Sequence, residues 1–177
     1  MKRAAFLDRD GVINRKPPEG QYVTRWEEMQ FLPGVAEAIS LLIGAGFCII
    51  VVSNQRCVAK GLLTVRELEL IHHSMCQELA LAGAVITEVY YCPHETQPPC
   101  ACRKPAAGMF LAAARAHEID LAASWMIGDS DIDVEAGRNA GCKTIRIVKR
   151  DEVRNDGADL FAQSLLDSVH QLLALER

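Results

Sequence analysis

At 177 residues the chain is long enough for one domain with a sizeable core. Hydrophobic residues make up 50% and charged residues 24%, and the formal net charge of −4 argues against a general nucleic-acid binder without excluding an anionic substrate. No apolar run approaches the ~20 residues needed to span a membrane, and Met1-Lys2-Arg3 leads straight into the first apolar run with no room for a signal peptide. A cytoplasmic chain with no membrane partner is expected, its seven cysteines free or metal-bound rather than paired.

Residues 4–7 are a short apolar run ending in Asp8-Arg9-Asp10-Gly11. This reads as a buried strand that delivers two carboxylates to its carboxyl end, followed by a turn. Ligands of open α/β sheets bind at that end. Alternate strand residues point opposite ways, so Asp8 and Asp10 serve one site only if the chain turns right after Asp8. Gly11 permits such a turn. A polar loop runs over 15–30. Pro33-Gly34 opens a helix with apolar positions at Val35, Ala38, Ile39 and Leu42, stopping at Gly44-Ala45-Gly46. Residues 47–52 are continuously apolar and bounded by Ser53-Asn54, the mark of a strand buried on both faces.

Thr64 to Glu67 has the spacing of a capping box and starts a long helix reaching Ala82. A third strand is expected over 85–92. A Pro- and Cys-rich loop follows, then a helix over 108–117, a fourth strand over 125–128, a helix over 132–140, a fifth strand over 143–148 and a final helix over 160–175. Strands joined by helices predict an α/β fold, a parallel sheet with helices on both faces. No repeat, low-complexity segment or linker divides the chain, so 1–177 reads as a single domain.

The second carboxylate cluster, Asp129-Ser130-Asp131-Ile132-Asp133, also follows a short apolar strand. Carboxylates at the ends of two parallel strands suit a hard cation such as Mg²⁺. Asp133 reads alternatively as an orienting residue for a cation or Lys, and Asp131 as a solvated first-turn acid. Ser53-Asn54 offers a hydroxyl and backbone N–H groups, although both residue types are also common in simple turns. Arg103-Lys104-Pro105 precedes a helix. A Lys there acts as a point charge on a phosphate and an Arg binds one bidentately, while the plain alternative is a solvated basic pair.

Cys92-Pro93-His94, five residues, then Cys100-Ala101-Cys102 supply three thiols and an imidazole. Such a set forms a closed, tetrahedral, structural zinc site. Zinc there would fold the 92–104 loop and hold Arg103 and Lys104. Cys48, Cys76 and Cys142 lie in apolar contexts and are expected in the core. Cys57 is expected to be accessible. His72 and His73 lie in the long helix, where surface or packing roles are expected.

Four strand-end loops thus carry Asp8 with Asp10, Ser53, Lys104, and Asp129 with Asp133, in that order. In this the chain resembles the haloacid dehalogenase (HAD) superfamily of phosphatases, over essentially its whole length. The Cys-Pro-His…Cys-x-Cys-Arg-Lys-Pro loop is similar to those of two of its families, the heptose bisphosphate phosphatases and the histidinol phosphatases. Gly108-Met109 after Arg103-Lys104-Pro105, the Asn54-Gln55-Arg56 segment and the Gln21-Tyr22-Val23 loop resemble the heptose family. The short spacing from His94 to Cys100 resembles the histidinol enzymes. Cys57 stands where these families usually carry Gly.

The resemblance implies a Rossmann-like fold without a large cap domain and a Mg²⁺-dependent phosphatase acting on a small phosphorylated sugar, the 7-phosphate of D-glycero-D-manno-heptose 1,7-bisphosphate. Histidinol phosphate or another small phosphosugar is the alternative. Asp8 would be the nucleophile and Asp10 the acid-base, with Ser53 and Lys104 completing the catalytic set. Asp8, the Asp10 carbonyl and Asp129 would hold Mg²⁺. Asn14, Ser53, Asn54, Gln55, Arg56, Arg103 and Lys104 would bind substrate, with Arg103 free for a second phosphate. Cys92, His94, Cys100 and Cys102 would hold Zn²⁺. A monomer is expected.

Overall fold

The computed structural model describes residues 1–149 and 157–175. Six strands form one sheet: β1 (Arg3–Leu7), β2 (Phe47–Asn54), β3 (Glu88–Cys92), β4 (Trp125–Gly128), β5 (Lys143–Ile147) and β6 (Leu160–Ala162). Their order is β3-β2-β1-β4-β5-β6, and every pairing is parallel. The helices are α1 (Val35–Gly44), α2 (Val65–Leu81), α3 (Gly108–His117), α4 (Asp131–Ala140) and α5 (Leu165–Leu175). This is the parallel sheet with helices on both faces that the alternation of strands and helices predicts, in the Rossmann-like form that the resemblance implies.

The strands are apolar on both faces because both faces are covered. Ala5 and Leu7 of β1 join one core with α1 residues Ala38, Ile39 and Leu42 and α5 residues Val169 and Leu172. Ala4 and Phe6 face the other, against Phe110 and Ala113 of α3 and Ala136 of α4. The Phe6 and Phe110 rings lie 4.8 Å apart at 44°, a favourable tilted pair.

Two expectations are corrected. The segment expected as the start of the last helix is strand β6, and α5 begins only at Leu165. Leu160 to Ala162 pair with β5 in register Ile145↔Leu160, so the open ladder groups of β5 outweigh the helical pattern there. The third strand starts at Glu88 rather than at 85.

The position of the site follows from strand order. β1 is central, flanked by β2 through Leu7↔Val51 and by β4 through Leu7↔Ile127. The chain crosses from one side of β1 to the other here, which opens a crevice at the carboxyl ends of the strands. Among the described residues the 15–30 segment contains only a short 3₁₀ turn at Trp26–Glu28, with no inserted cap.

Candidate active site

Asp8 leaves the end of β1, and the chain turns at once: the Val12, Ile13 and Asn14 amides all donate to the Arg9 carbonyl. Gly11 sits at φ +101°, and a Cβ there would come within 2.2 Å of Asp129 Oδ2. Glycine therefore lets the first loop pass against the second carboxylate cluster. Gly128, at the end of β4, leaves room for Asp133 of the helix that follows, since a Cβ there would meet Asp133 Cβ at 2.1 Å.

Asp8, Asp129 and Asp133 each offer a carboxylate oxygen within 4.8 Å of the others. Lys104 lies among them, 3% exposed. Its ammonium donates to Asp8 Oδ1 at 2.7 Å and the Val52 carbonyl at 2.8 Å, and it pairs with Asp133 Oδ1 at 2.6 Å. Three donors meet three acceptors, so the charge is held in one place. Burial disfavours the ammonium, but Asp133 and Asp8 outweigh it and raise the Lys104 pKa. Burial, with the nearby Asp133 and Asp10, raises the Asp8 carboxyl despite Lys104. Asp133 also accepts from the Ser130 backbone and hydroxyl as the capping partner of α4. Its reading as the residue that orients Lys104 thus matches its geometry. Asp131 is exposed, as a first-turn acid should be.

Asp10 occupies a different environment. Its Oδ1 accepts from Arg9 Nη2 and Asn14 Nδ2, and its Oδ2 from Arg9 Nη2 and Gln55 Nε2, all at 2.9 Å. Burial pushes its carboxyl up, yet the Arg9 charge and the hydrogen bonds from Asn14, Arg9 and Gln55 prevail and hold it low. Arg9 is fully buried. Sequence reasoning passed over it, although a cation between two site carboxylates is itself a signal. Beneath it lies His72, with Nε2 3.2 Å from Arg9 Nη1. Arg only donates, so Nε2 accepts and the ring proton sits on Nδ1.

A cavity of about 280 Å³ opens over these groups, lined among others by Asp8, Asp10, Ser53, Asn54, Arg103, Lys104 and Asp129. Tyr22 and Lys16 also line it, and neither was among the expected site residues. Lys16 Nζ contacts both Asp129 oxygens, at 2.9 and 2.7 Å. Three residues expected to touch substrate do not line this cavity. Asn14 and Gln55 are buried behind Asp10, with Gln55 Nε2 also donating to Ser53 Oγ at 2.8 Å. Arg56 turns to Glu95, at 3.2 Å. Asn54 is clamped to Lys104 by two hydrogen bonds, Nδ2 to the Lys104 carbonyl and the Lys104 amide to Oδ1, both 3.0 Å. Cys57, expected to be accessible, is fully buried against Leu63 and Leu68, its thiol 3.5 Å from Gln55 Oε1.

The donors fit the two metals read from the sequence. Asp8, Asp129 and Asp133 are three hard carboxylates beside two ammonium groups, Lys104 and the half-exposed Lys16, an excess of negative charge that suits a hard cation. Cys92, His94, Cys100 and Cys102 bring three thiols and His94 Nδ1 together. Their contacts are Cys92–Cys100 3.6, Cys100–Cys102 3.5, Cys92–His94 3.6 and His94–Cys102 3.2 Å. Tetrahedral zinc, with bonds of ~2.3 Å to sulfur and ~2.0 Å to nitrogen, has ligand–ligand edges close to these. Arg103 Nη1 donates to the His94 carbonyl at 3.3 Å, so the loop holds the guanidinium at the pocket.

Comparison with known proteins finds relatives in sequence and in fold. A HAD-hydrolase-like family model matches residues 101–168. The D-glycero-beta-D-manno-heptose-1,7-bisphosphate 7-phosphatase of Rhodopseudomonas palustris is 37% identical over 170 residues, covering 92% of this chain and 89% of that protein. The D-glycero-D-manno-heptose-1,7-bisphosphate 7-phosphatase of Thermosynechococcus vestitus is 39% identical over 155 residues, 81% of this chain and 78% of that one. The crystal structure of D,D-heptose 1,7-bisphosphate phosphatase from B. bronchiseptica, complexed with magnesium and phosphate, superposes with a TM-score of 0.87 at 32% identity, covering 98% of this chain and 99% of that one. Fold and site together define a phosphatase of the HAD-like class. Within that class, the chain belongs to the family of the D-glycero-D-manno-heptose 1,7-bisphosphate 7-phosphatases.

Proposed function

We propose that this protein removes the 7-phosphate of D-glycero-D-manno-heptose 1,7-bisphosphate through an aspartyl-phosphate on Asp8. The observation that supports this most is Asp8 at the cavity floor, 2.7 Å from Lys104 Nζ, in a chain whose relatives are named for that reaction. Asp8 Oδ attacks phosphorus, and the sugar oxygen leaves with a proton supplied by Asp10. Asp10 then takes a proton from water as that water attacks the aspartyl-phosphate, releasing phosphate and restoring Asp8. The low Asp10 carboxyl suits this second step. The first needs the acid form, and the negative charge of a bound phosphate ester favours it.

The Ser53 hydroxyl offers a donor to the phosphoryl oxygens, as does Lys104 once the attacking Asp8 oxygen gives up its N–H. Arg9, Asn14 and Gln55 fix Asp10 rather than touch substrate. Asp8, the Asp10 carbonyl and Asp129 would hold Mg²⁺, with Asp133 behind them on Lys104. Mg²⁺ when bound offsets the charge of the dianion approaching Asp8. Zn²⁺ on Cys92, His94, Cys100 and Cys102 would brace the loop that carries Arg103. Arg103 binds the second phosphate.

We further read the enzyme as a cytoplasmic monomer: one chain by itself supplies the nucleophile, the acid-base and the cations of the pocket. No helix among the described residues is long and apolar enough to cross a membrane. Phosphate release from the two anomers of heptose 1,7-bisphosphate, histidinol phosphate and other phosphosugars tests the assignment. The bisphosphate should give the highest kcat/KM. A preference for histidinol phosphate over both anomers would leave the phosphatase and remove the heptose.

A further inference from the structure

Three loops that follow three neighbouring strands meet beside the catalytic pocket. Tyr22 comes from the loop after β1, Arg56 and Lys60 from the turn after β2, and Glu95 from the loop after β3. Tyr22 lines the cavity, and it also packs against the small buried cluster of Cys57, Leu63 and Leu68. Lys60 Nζ lies 5.2 Å from the Tyr22 ring centroid. Arg56 and Lys60 both sit near enough to the Tyr22 hydroxyl to lower its pKa. Arg56 Nε in turn pairs with Glu95 at 3.2 Å, one residue past His94 in the Cys/His loop.

We propose that Tyr22 is a specificity-determining residue, the wall of the pocket against which the sugar of the substrate lies, and that Arg56 is the positioning residue that ties this wall to the Cys/His loop. An aromatic ring offers a large, rigid face to the C–H surface of a sugar at low entropic cost. A ring free to rotate would lose that advantage. Packing from behind and the Lys60 cation over the ring keep it in place. The opposite anchor, Arg103, is held by the same loop through the His94 carbonyl. One loop thereby sets the distance between the group that binds the distal phosphate and the face that receives the ring. This rests on the sugar-bisphosphate reading above.

The two cations also leave a signature. Burial alone would raise the Tyr22 phenol, but the bonds and charges of Lys60 and Arg56 lower it. The other two tyrosines, Tyr90 and Tyr91, are pushed up to about 12 by burial and by Glu88 and Glu69. The first phenol to ionise is therefore that of Tyr22, and it reports on Arg56.

The test compares kcat/KM for heptose 1,7-bisphosphate with that for p-nitrophenyl phosphate in the metal-loaded full chain. Tyr22→Ala should lower the ratio of the two about tenfold, mainly through KM for the bisphosphate. Tyr22→Phe, which keeps the ring, should lower it less. Arg56→Ala should lower the ratio and move the first step of the phenol absorbance titration upward, and Arg56→Lys should restore both in part. An unchanged ratio in both Tyr22 variants, or an unmoved titration in Arg56→Ala, would overturn the proposal. A wild type indifferent to the bisphosphate would instead overturn the substrate reading on which it stands.

Discussion

Asp133 Oδ1 lies 2.6 Å from Lys104 Nζ, and each side chain is 3% exposed. Lys104 comes from the loop after β3 and Asp133 from the first turn of α4, after β4, where its other oxygen caps the helix at Ser130. The start of α4 is thereby locked to the cation beside Asp8. Removing one member of a buried pair leaves an uncompensated charge, at a cost of about 3–5 kcal/mol. Asp133→Asn should lose stability toward the lower end of that range, because Lys104 keeps Asp8. Urea unfolding of the metal-free protein measures it.

Asp8→Asn should abolish turnover and leave the fold intact. An amide cannot attack phosphorus, and loss of a covalent nucleophile removes on the order of 10⁴-fold or more of the rate. Steady-state phosphate release, with thermal melting as the control on folding, gives the answer. Measurable turnover free of deamidated protein contradicts the covalent route.

Protein purified without chelator should carry one tightly held zinc per chain and need a separate, exchangeable Mg²⁺ for turnover. Cys100→Ser or Cys102→Ser should lose the zinc and destabilise the 92–104 loop, since three ligands no longer close the tetrahedron. Metal analysis of wild type and variants settles the stoichiometry.

Arg103→Ala should lower kcat/KM for the bisphosphate by roughly ten- to a hundred-fold, the loss of a charge-assisted hydrogen bond of ~1.5–3 kcal/mol. Simple monophosphate esters, which have no second anionic group, should suffer less. Parallel kinetics on the two substrate types check the difference.

His72 gives a pH dependence of known sign. Burial and the facing Arg9 lower its pKa from 6.5 to about 3. Protonation would also destroy the acceptor that Nε2 offers to Arg9. The unfolded chain therefore binds this proton more readily, and the stability contributed by neutral His72 is complete above about pH 6.5 and falls away toward pH 3. A shift of this size sets an upper bound of roughly 5 kcal/mol. Chemical unfolding between pH 7 and pH 4 should show a shallower loss in His72→Gln than in wild type.

The chain alone announced the clustered carboxylates because strand ends are marked by abrupt chemistry. The apolar run through Leu7 stops at Asp8, the run through Val52 stops at Ser53, and the run through Ile127 stops at Gly128-Asp129. Against a strand buried on both faces, such a break stands out, and three of them together outweigh the reading of each as a plain turn. The Cys/His loop was equally legible, since four soft ligands at tight spacing have few other uses. The capping box at Thr64 and Glu67 is local and forms as read, with Glu67 accepting from Thr64 and the Thr64 hydroxyl accepting from the Glu67 amide.

What only the tertiary structure decided is how those strand ends face one another. Asn14, Gln55 and Arg56 lie near the motifs in sequence, but a turn one residue tighter or looser aims a side chain at substrate or at a neighbour. Asn14 and Gln55 meet Asp10, and Arg56 meets Glu95. The partnership of Arg9 with His72 spans 63 positions, so no local pattern contains it. Strand β6 exists because β5 presents an open edge, and Cys57 is buried because Leu63 and Leu68 fold over it. Local periodicity and residue chemistry placed the charged and polar groups at the ends of strands. Packing between segments far apart in the chain then determined which of those groups line the cavity and which hold the others in place.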